Sequence, residues 1–199
     1  AGHLIEAAIA HHQATGKRTL LDVAIRFADH IDALFGPDGR RDVPGHQEIE
    51  LALFKLADVT GETRYGDLAA FFLEQRGRAD GRALYGEYCQ DLLPVRDHAE
   101  AVGHAVRAMY LYSAVADAVA RTSDEGFLAA MDRVWEDLTT RKMYVTGGIG
   151  PSPHNEGFTV AYDLPNDTSY AETCAGIGLV FWAHRLGLLH RDARYIDVM

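Results

Sequence analysis

Four times along the chain the same unit returns. A small residue followed by His or Glu opens an apolar helical stretch, a tight turn closes it, and a second helical stretch runs back. Residues 3–14 place Leu4, Ile5, Ala8, Ile9 and His12 on one helical face. Thr15-Gly16-Lys17 interrupts, and Leu20 to Leu34 resumes with Leu21, Ala24, Ile25, Ala28 and Ile31. Gly45-His46 opens a second unit that runs through Leu56, turns at Thr60-Gly61-Glu62 and returns from Tyr65 to Gln75. Gly103-His104 opens the third, which turns near Thr122-Ser123-Asp124 and returns from Gly126 to about Thr140. Ala171-Glu172 opens the fourth, with its return beginning at Ala193. Helix pairs stacked side by side build either an open solenoid or a closed α/α toroid. The spacing between units widens because loops are inserted at one end, at 76–99 and 143–170. That predicts an all-α fold, an α/α toroid with a loop-built pocket on one rim. Four pairs fall short of a six-pair ring, so residues 1–199 are expected to be part of an (α/α)6 barrel truncated at both ends.

Charge narrows the partners. With 19 basic against 29 acidic residues the net charge is −10, and no Lys/Arg block offers a nucleic-acid surface. No apolar run approaches the roughly 20 residues of a membrane-spanning helix. Two cysteines, Cys89 and Cys174, make no disulfide framework and fit a reducing compartment, so the expected location is cytoplasmic.

The longest stretch without helical period is Met143 to Gly178, MYVTGGIGPSPHNEGFTVAYDLPNDTSYAETCAGIG. A long loop in a helical scaffold is where function concentrates. His3, His46, His104 and Glu172 all stand at the opening of a unit, and in a toroid those openings share a rim. Converging there, they suit recognition of sugar hydroxyls; taken singly, each His caps its helix or fills a polar niche. In the 76–99 insert, Asp91, Asp97, His98, Tyr85 and Tyr88 either border such a site or belong to a solvated loop. Cys89 reads as a small buried residue.

Glu156 and Glu172 supply the two carboxylates that acid/base work on a glycosidic bond requires. Glu172-Thr173-Cys174 allows two readings. Carboxylate oxygen and thiolate sulfur both ligate zinc, but at this spacing they point apart on a helix and together on an extended strand. Joint ligation therefore needs an extended entry, with the helix starting at or after Cys174. Alternatively, Ser169-Tyr170-Ala171-Glu172 is a capping box with Glu172 in the first helical turn.

Five segments, GHLIEAAIAHHQATGKRTLLDVA, PGHQEIELALFKLADVTGETRY, GHAVRAMYLY, MYVTGGIG and YDLPNDTSYAETCA, together resemble glycoside hydrolase family 127, the bacterial β-L-arabinofuranosidases. The resemblance covers nearly the whole chain. It implies an (α/α)6 barrel and a zinc-dependent retaining enzyme with a cysteine nucleophile, acting on a small carbohydrate, an arabinofuranoside. By motif, Glu156 would be the general acid/base, Glu172 and Cys174 zinc ligands, and His3, His46 and His104 would line the sugar subsite. A homodimer is left open. In the family the nucleophilic cysteine and a neighbouring cysteine ligand lie well downstream of the AETCA motif, and residues 175–199 hold no cysteine. Zinc takes three or four protein ligands and two are present, so this polypeptide alone is expected to bind zinc weakly and to have negligible glycosidase activity. Two other readings stay open. One is a metal-independent sugar epimerase or uronide hydrolase on the same toroid; the other is a glycan-binding module without catalysis.

Overall fold

The computed structural model describes residues 1–199, and the chain is all-helical, with only isolated β-bridges between loops. The helices are α1 Gly2–Thr15, α2 Thr19–Leu34, α3 Ile49–Thr60, α4 Thr63–Gln75, α5 Ala105–Thr122, α6 Glu125–Arg141, α7 Thr173–His190 and α8 Ala193–Ile196. They form four hairpins, α1–α2, α3–α4, α5–α6 and α7–α8, and the first helices pack on one another in the order α1, α3, α5, α7. This is an inner row of helices backed by an outer row, an arc of an α/α toroid. Burial follows the layering. The inner helix α5 is buried nearly all round, from Ala105 and Val106 through Leu111–Ala116 to Val119, whereas the outer α2 buries only Leu21, Ala24 and Ala28. A helix apolar on every side belongs between others, and one with a single apolar stripe belongs on a surface.

The two ends of the hairpins differ. At one end the links are short, residues 16–18, 61–62, 123–124 and 191–192; at the other they are long, 35–48, 76–104 and 142–172. The long links are ordered. In the 76–104 link Asp91 is fully buried, and its carboxylate accepts from the amides of Gly77 and Tyr85, both at 2.7 Å, and pairs with Arg82. The reading of this insert as a solvated loop is therefore corrected: buried polar groups need partners, and Asp91 supplies them to an otherwise irregular backbone. Beneath it, Arg76 and Glu50 form an ion pair at 3.2 Å with both side chains fully buried. Arg76 also donates to the carbonyls of Cys89 and Pro44, which fastens the insert to α3 and α4.

One helix start differs from expectation. Gly45-His46 does not open α3, which begins at Ile49 after a bent segment ending in Glu48 at φ 124°. The shared register at the unit openings is accordingly looser than the sequence suggests. His104 and Glu172 are the residues immediately before α5 and α7, His3 lies inside the first turn of α1, and His46 stands ahead of α3. No helix is long and apolar enough to cross a membrane.

Candidate active site

The 142–172 link is stitched to the start of α5 by backbone hydrogen bonds. Ala105 N–H donates to Glu156 O at 3.1 Å, and Phe158 N–H donates to Gly103 O at 2.9 Å. Gly157 lies at the crossing, where a Cβ would sit 1.8 Å from the Gly103 carbonyl oxygen, so only glycine lets the two strands approach. Glu156 is thereby held at φ 50°, in the left-handed region. Its carboxylate gathers three partners from the two long links 76–104 and 142–172. Tyr88 O–H donates to Oε2 at 3.0 Å, Tyr170 O–H donates to Oε1 at 3.2 Å, and His104 Nε2 stands 3.3 Å from Oε2.

The tautomer of His104 follows from its cap. Its Nδ1 accepts from the backbone N–H of Val106 at 3.1 Å, so the neutral ring carries its proton on Nε2, facing Glu156. One side chain thus caps α5 and addresses the carboxylate. Burial, then the Arg107 guanidinium, hold His104 below the ordinary imidazole pKa, which favours that neutral ring. The bonds from Tyr88 and then Tyr170 hold the Glu156 carboxyl below its ordinary value. In Tyr88→Phe the first of these is lost, so the Glu156 pKa rises. Where protonated Glu156 is the active form, the alkaline limb of kcat/KM should move to higher pH, which a pH–rate profile of the full-length protein measures. An unmoved limb, or one moving down, contradicts the assignment.

At α7 the two readings of Glu172 separate. Glu172 is extended, at φ −53° and ψ 137°, makes no cap hydrogen bond, and α7 starts at Thr173. The capping box is therefore absent, and Ser169 lies outside the helix. The helix begins one residue before Cys174, yet the extended Glu172 brings the two side chains together: Cys174 Sγ donates to Glu172 Oε1 at 3.4 Å. Glu172 Oε2 is buried without a partner. Desolvation, then the Glu172 carboxylate, push the Cys174 thiol above its ordinary pKa. Oxygen and sulfur side by side, with an oxygen unsatisfied, fit two positions of a zinc site. No third His, Cys, Asp or Glu joins them in a metal-holding group.

His3 and His46 form the other side of the rim, joined by Tyr110 of α5, whose ring centroid is 5.9 Å from His3 and 6.1 Å from His46. The His46 Nδ1 meets the Gln47 carbonyl, so that nitrogen carries the proton and Nε2 is left as an acceptor. Burial holds the His46 pKa down. The structure thus brings His104 to Glu156 and Glu172 to Cys174, while His3 and His46 meet around Tyr110 without an ion pair to Glu156. Asp97 and His98 belong elsewhere: they line a separate cleft of about 390 Å³ with Leu92, Leu93 and Val102.

Sequence reasoning missed Tyr170, Tyr110, Arg107 and Glu48. Arg107 stacks over the Tyr88 ring at 4.9 Å and donates to the Gly45 carbonyl, bridging the halves of the rim. Glu48 is buried and lies 2.9 Å from His3 Nδ1. Burial, then the Glu6 carboxylate, push its pKa up to about 7.

An arc of helical hairpins, with acids, histidines and a cysteine gathered on the long-link rim, defines a protein of the α/α-toroid class. The chain belongs to the family described as Beta-L-arabinofuranosidase, GH127 catalytic domain, whose sequence profile matches residues 1–199. It is 41% identical over 218 aligned residues to the non-reducing end beta-L-arabinofuranosidase of Bifidobacterium longum subsp. longum, covering 100% of this chain and 33% of that protein. A solved GH127 beta-arabinofuranosidase superposes with a TM-score of 0.95 at 48% identity, over 99% of this chain and 31% of that one. A GH127 beta-L-arabinofuranosidase from Geobacillus stearothermophilus T6 does so with a TM-score of 0.93 at 47% identity, over 100% of this chain and 34% of that one. The chain spans about a third of the length of these relatives.

Proposed function

We propose that the full-length protein is a retaining glycoside hydrolase that releases β-L-arabinofuranose from an arabinofuranoside. The observation that supports this most is the Glu156 carboxylate, held at positive φ on a stitched loop with Tyr88, Tyr170 and His104 around it. Strained backbone persists where the surrounding structure over-determines it, and it clusters at working sites. Protonated Glu156 gives its proton to the leaving-group oxygen as a cysteine thiolate forms a bond to the anomeric carbon. The Glu156 carboxylate then takes a proton from the water whose oxygen displaces the thiolate, and configuration is retained after two inversions. Two tyrosine donors favour the carboxylate in the free site, so productive binding requires a leaving-group oxygen to take over one of those positions.

Glu172 and Cys174 would hold zinc, with the proton now shared between Sγ and Oε1 given up to make room. Zinc would keep the nucleophilic cysteine, which the family pattern puts downstream of residue 199, as the thiolate. In the full-length protein Cys174→Ser should lower bound zinc to well below one equivalent, as read by metal analysis after dialysis. Full zinc retention in that variant removes Cys174 from the ligand set. Assay of the full-length protein with a synthetic β-L-arabinofuranoside tests the substrate. Activity only on another glycoside would leave the hydrolase reading and refute the sugar. Activity that survives complete chelation of metal would favour the metal-independent chemistry instead. Two free cysteines agree with a reducing, cytoplasmic setting.

A further inference from the structure

Seven non-glycine residues have positive φ, and three of them, Gln90, Ser123 and Arg191, end helices, a common use of that conformation. Glu48 is different. It stands at the start of α3 with φ 124° and ψ −31°, a conformation L-residues rarely adopt. Its side chain is turned back into the protein, 5% exposed, beside the first turn of α1, where a Cβ on Gly2 would lie 2.0 Å from Oε2. Oε1 lies 2.9 Å from His3 Nδ1, within ion-pair distance though not in line for a hydrogen bond, with the His3 backbone N–H beside the same carboxylate, while the His3 side chain is 74% exposed on the rim. A buried carboxylate on a strained backbone, seated against an obligatory glycine, is thereby brought beside an exposed imidazole. As a purely structural element this is a poor arrangement, since a neutral side chain of the same shape would avoid the desolvation of a charge.

We propose that Glu48 is a positioning residue of the sugar subsite, holding the Nδ1 proton of His3 so that the Nε2 lone pair faces the rim as an acceptor for a sugar hydroxyl. The proposal rests on the reading of His3 as a sugar-binding residue. It gives the rim a defined polarity. His3 and His46 offer acceptors, and His104 offers a donor, each tautomer set by the partner of its Nδ1. Tyr110, edge-on to His3 at an interplanar angle of 77°, limits the ring's rotation.

The test uses the full-length protein at pH 8, where the Glu48 carboxyl is ionised. Glu48→Met, which leaves no acceptor beside His3 Nδ1, should raise KM for a synthetic β-L-arabinofuranoside about tenfold, more than it lowers kcat, as expected for one lost hydrogen bond. His3→Ala should do the same, and the double variant should be no worse than His3→Ala alone. The melting temperature at pH 8 should be equal or higher in Glu48→Met. The folded-state pKa of Glu48 is raised from 4.5 to about 7, so the favourable contribution of the protonated form is complete below pH 4.5 and lost as pH rises through 7. At pH 8 the parent carries that cost in full and the methionine variant does not. Weaker sugar binding in a protein that is no less stable is a signature that a structural role does not produce. If His3→Ala raises KM and Glu48→Met does not, the proposal is overturned and the sugar role of His3 stands. If neither raises KM, both fall. Independently of any variant, a His3 ring spectrum showing the proton on Nε2 at pH 8 would overturn it.

Discussion

Glu156→Gln in the full-length protein should lower kcat on a β-L-arabinofuranoside with a poor leaving group by about 10²–10⁴-fold, the usual worth of a positioned acid/base. The effect should depend on the leaving group. An activated aryl leaving group departs without needing a proton, so the bond-breaking step is largely spared and the remaining loss lies in hydrolysis of the intermediate. Sugar affinity should change little, because Gln keeps the shape: its amide oxygen still accepts from one of Tyr88 and Tyr170, and its NH2 donates to the other once that hydroxyl turns. Rates for a leaving-group series, with binding measured on the inactive variant, check this. A loss below tenfold, or one independent of the leaving group, would exclude Glu156 as the acid/base. Loss of affinity in place of rate would point to the non-catalytic glycan-binding reading.

The second large effect concerns a residue with no side chain. In Gly157→Ala the new Cβ meets the Gly103 carbonyl at 1.8 Å, and backbone cannot give way as a flexible side chain would. Gly103 cannot retreat, because it is packed in turn against the carbonyl of Glu87 and has φ 68°. The crossing must open, releasing the bonds Ala105 N–H to Glu156 O and Phe158 N–H to Gly103 O. We expect roughly 2–4 kcal/mol of destabilisation. Displacement of Glu156 by about an ångström should lower kcat by roughly 10²-fold. Gly147→Ala is the comparison: unlike Gly157 it has positive φ, at 82°, but its Cβ enters open space, so it should lose about 1 kcal/mol of stability and little activity. Denaturant melts and kcat for the pair measure both. Similar behaviour of the two variants would mean that the crossing does not hold Glu156 in place.

The hairpins were legible because their signals are local. Apolar period, Gly turns and hydrophilic breaks located every helix, and the insertions placed the functional rim at the long-link end. What local pattern could not show is how separate links meet. Tyr88 and Tyr170 reach Glu156 from sequence separations of 68 and 14 residues, and neither tyrosine differs in pattern from any other loop tyrosine. Ser169-Tyr170-Ala171-Glu172 satisfies a capping box on paper. Tertiary bonds override it: Tyr170 N–H donates to Pro151 O and Ala171 N–H to Gly150 O, leaving Ala171 at φ 37° and Glu172 extended. The sequence QEIE likewise does not say which of Glu48 and Glu50 faces a histidine. Glu50 lies on the buried face of α3 and pairs with Arg76, and Glu48 reaches His3 only through a backbone conformation that no periodicity encodes.

The unequal links at the two ends of the hairpins bear on how a ligand is received. The rim is made of irregular backbone, yet its segments are tied to α5 and to one another by main-chain bonds at Gly103, His104, Ala105, Glu156 and Phe158. The conformational entropy of ordering those loops, about 1–2 kcal/mol per residue, is therefore lost when the chain folds and not when sugar arrives. Under the proposed function an incoming furanoside would meet donors and acceptors that already stand in place, leaving its binding free energy available for distorting the ring toward the transition state.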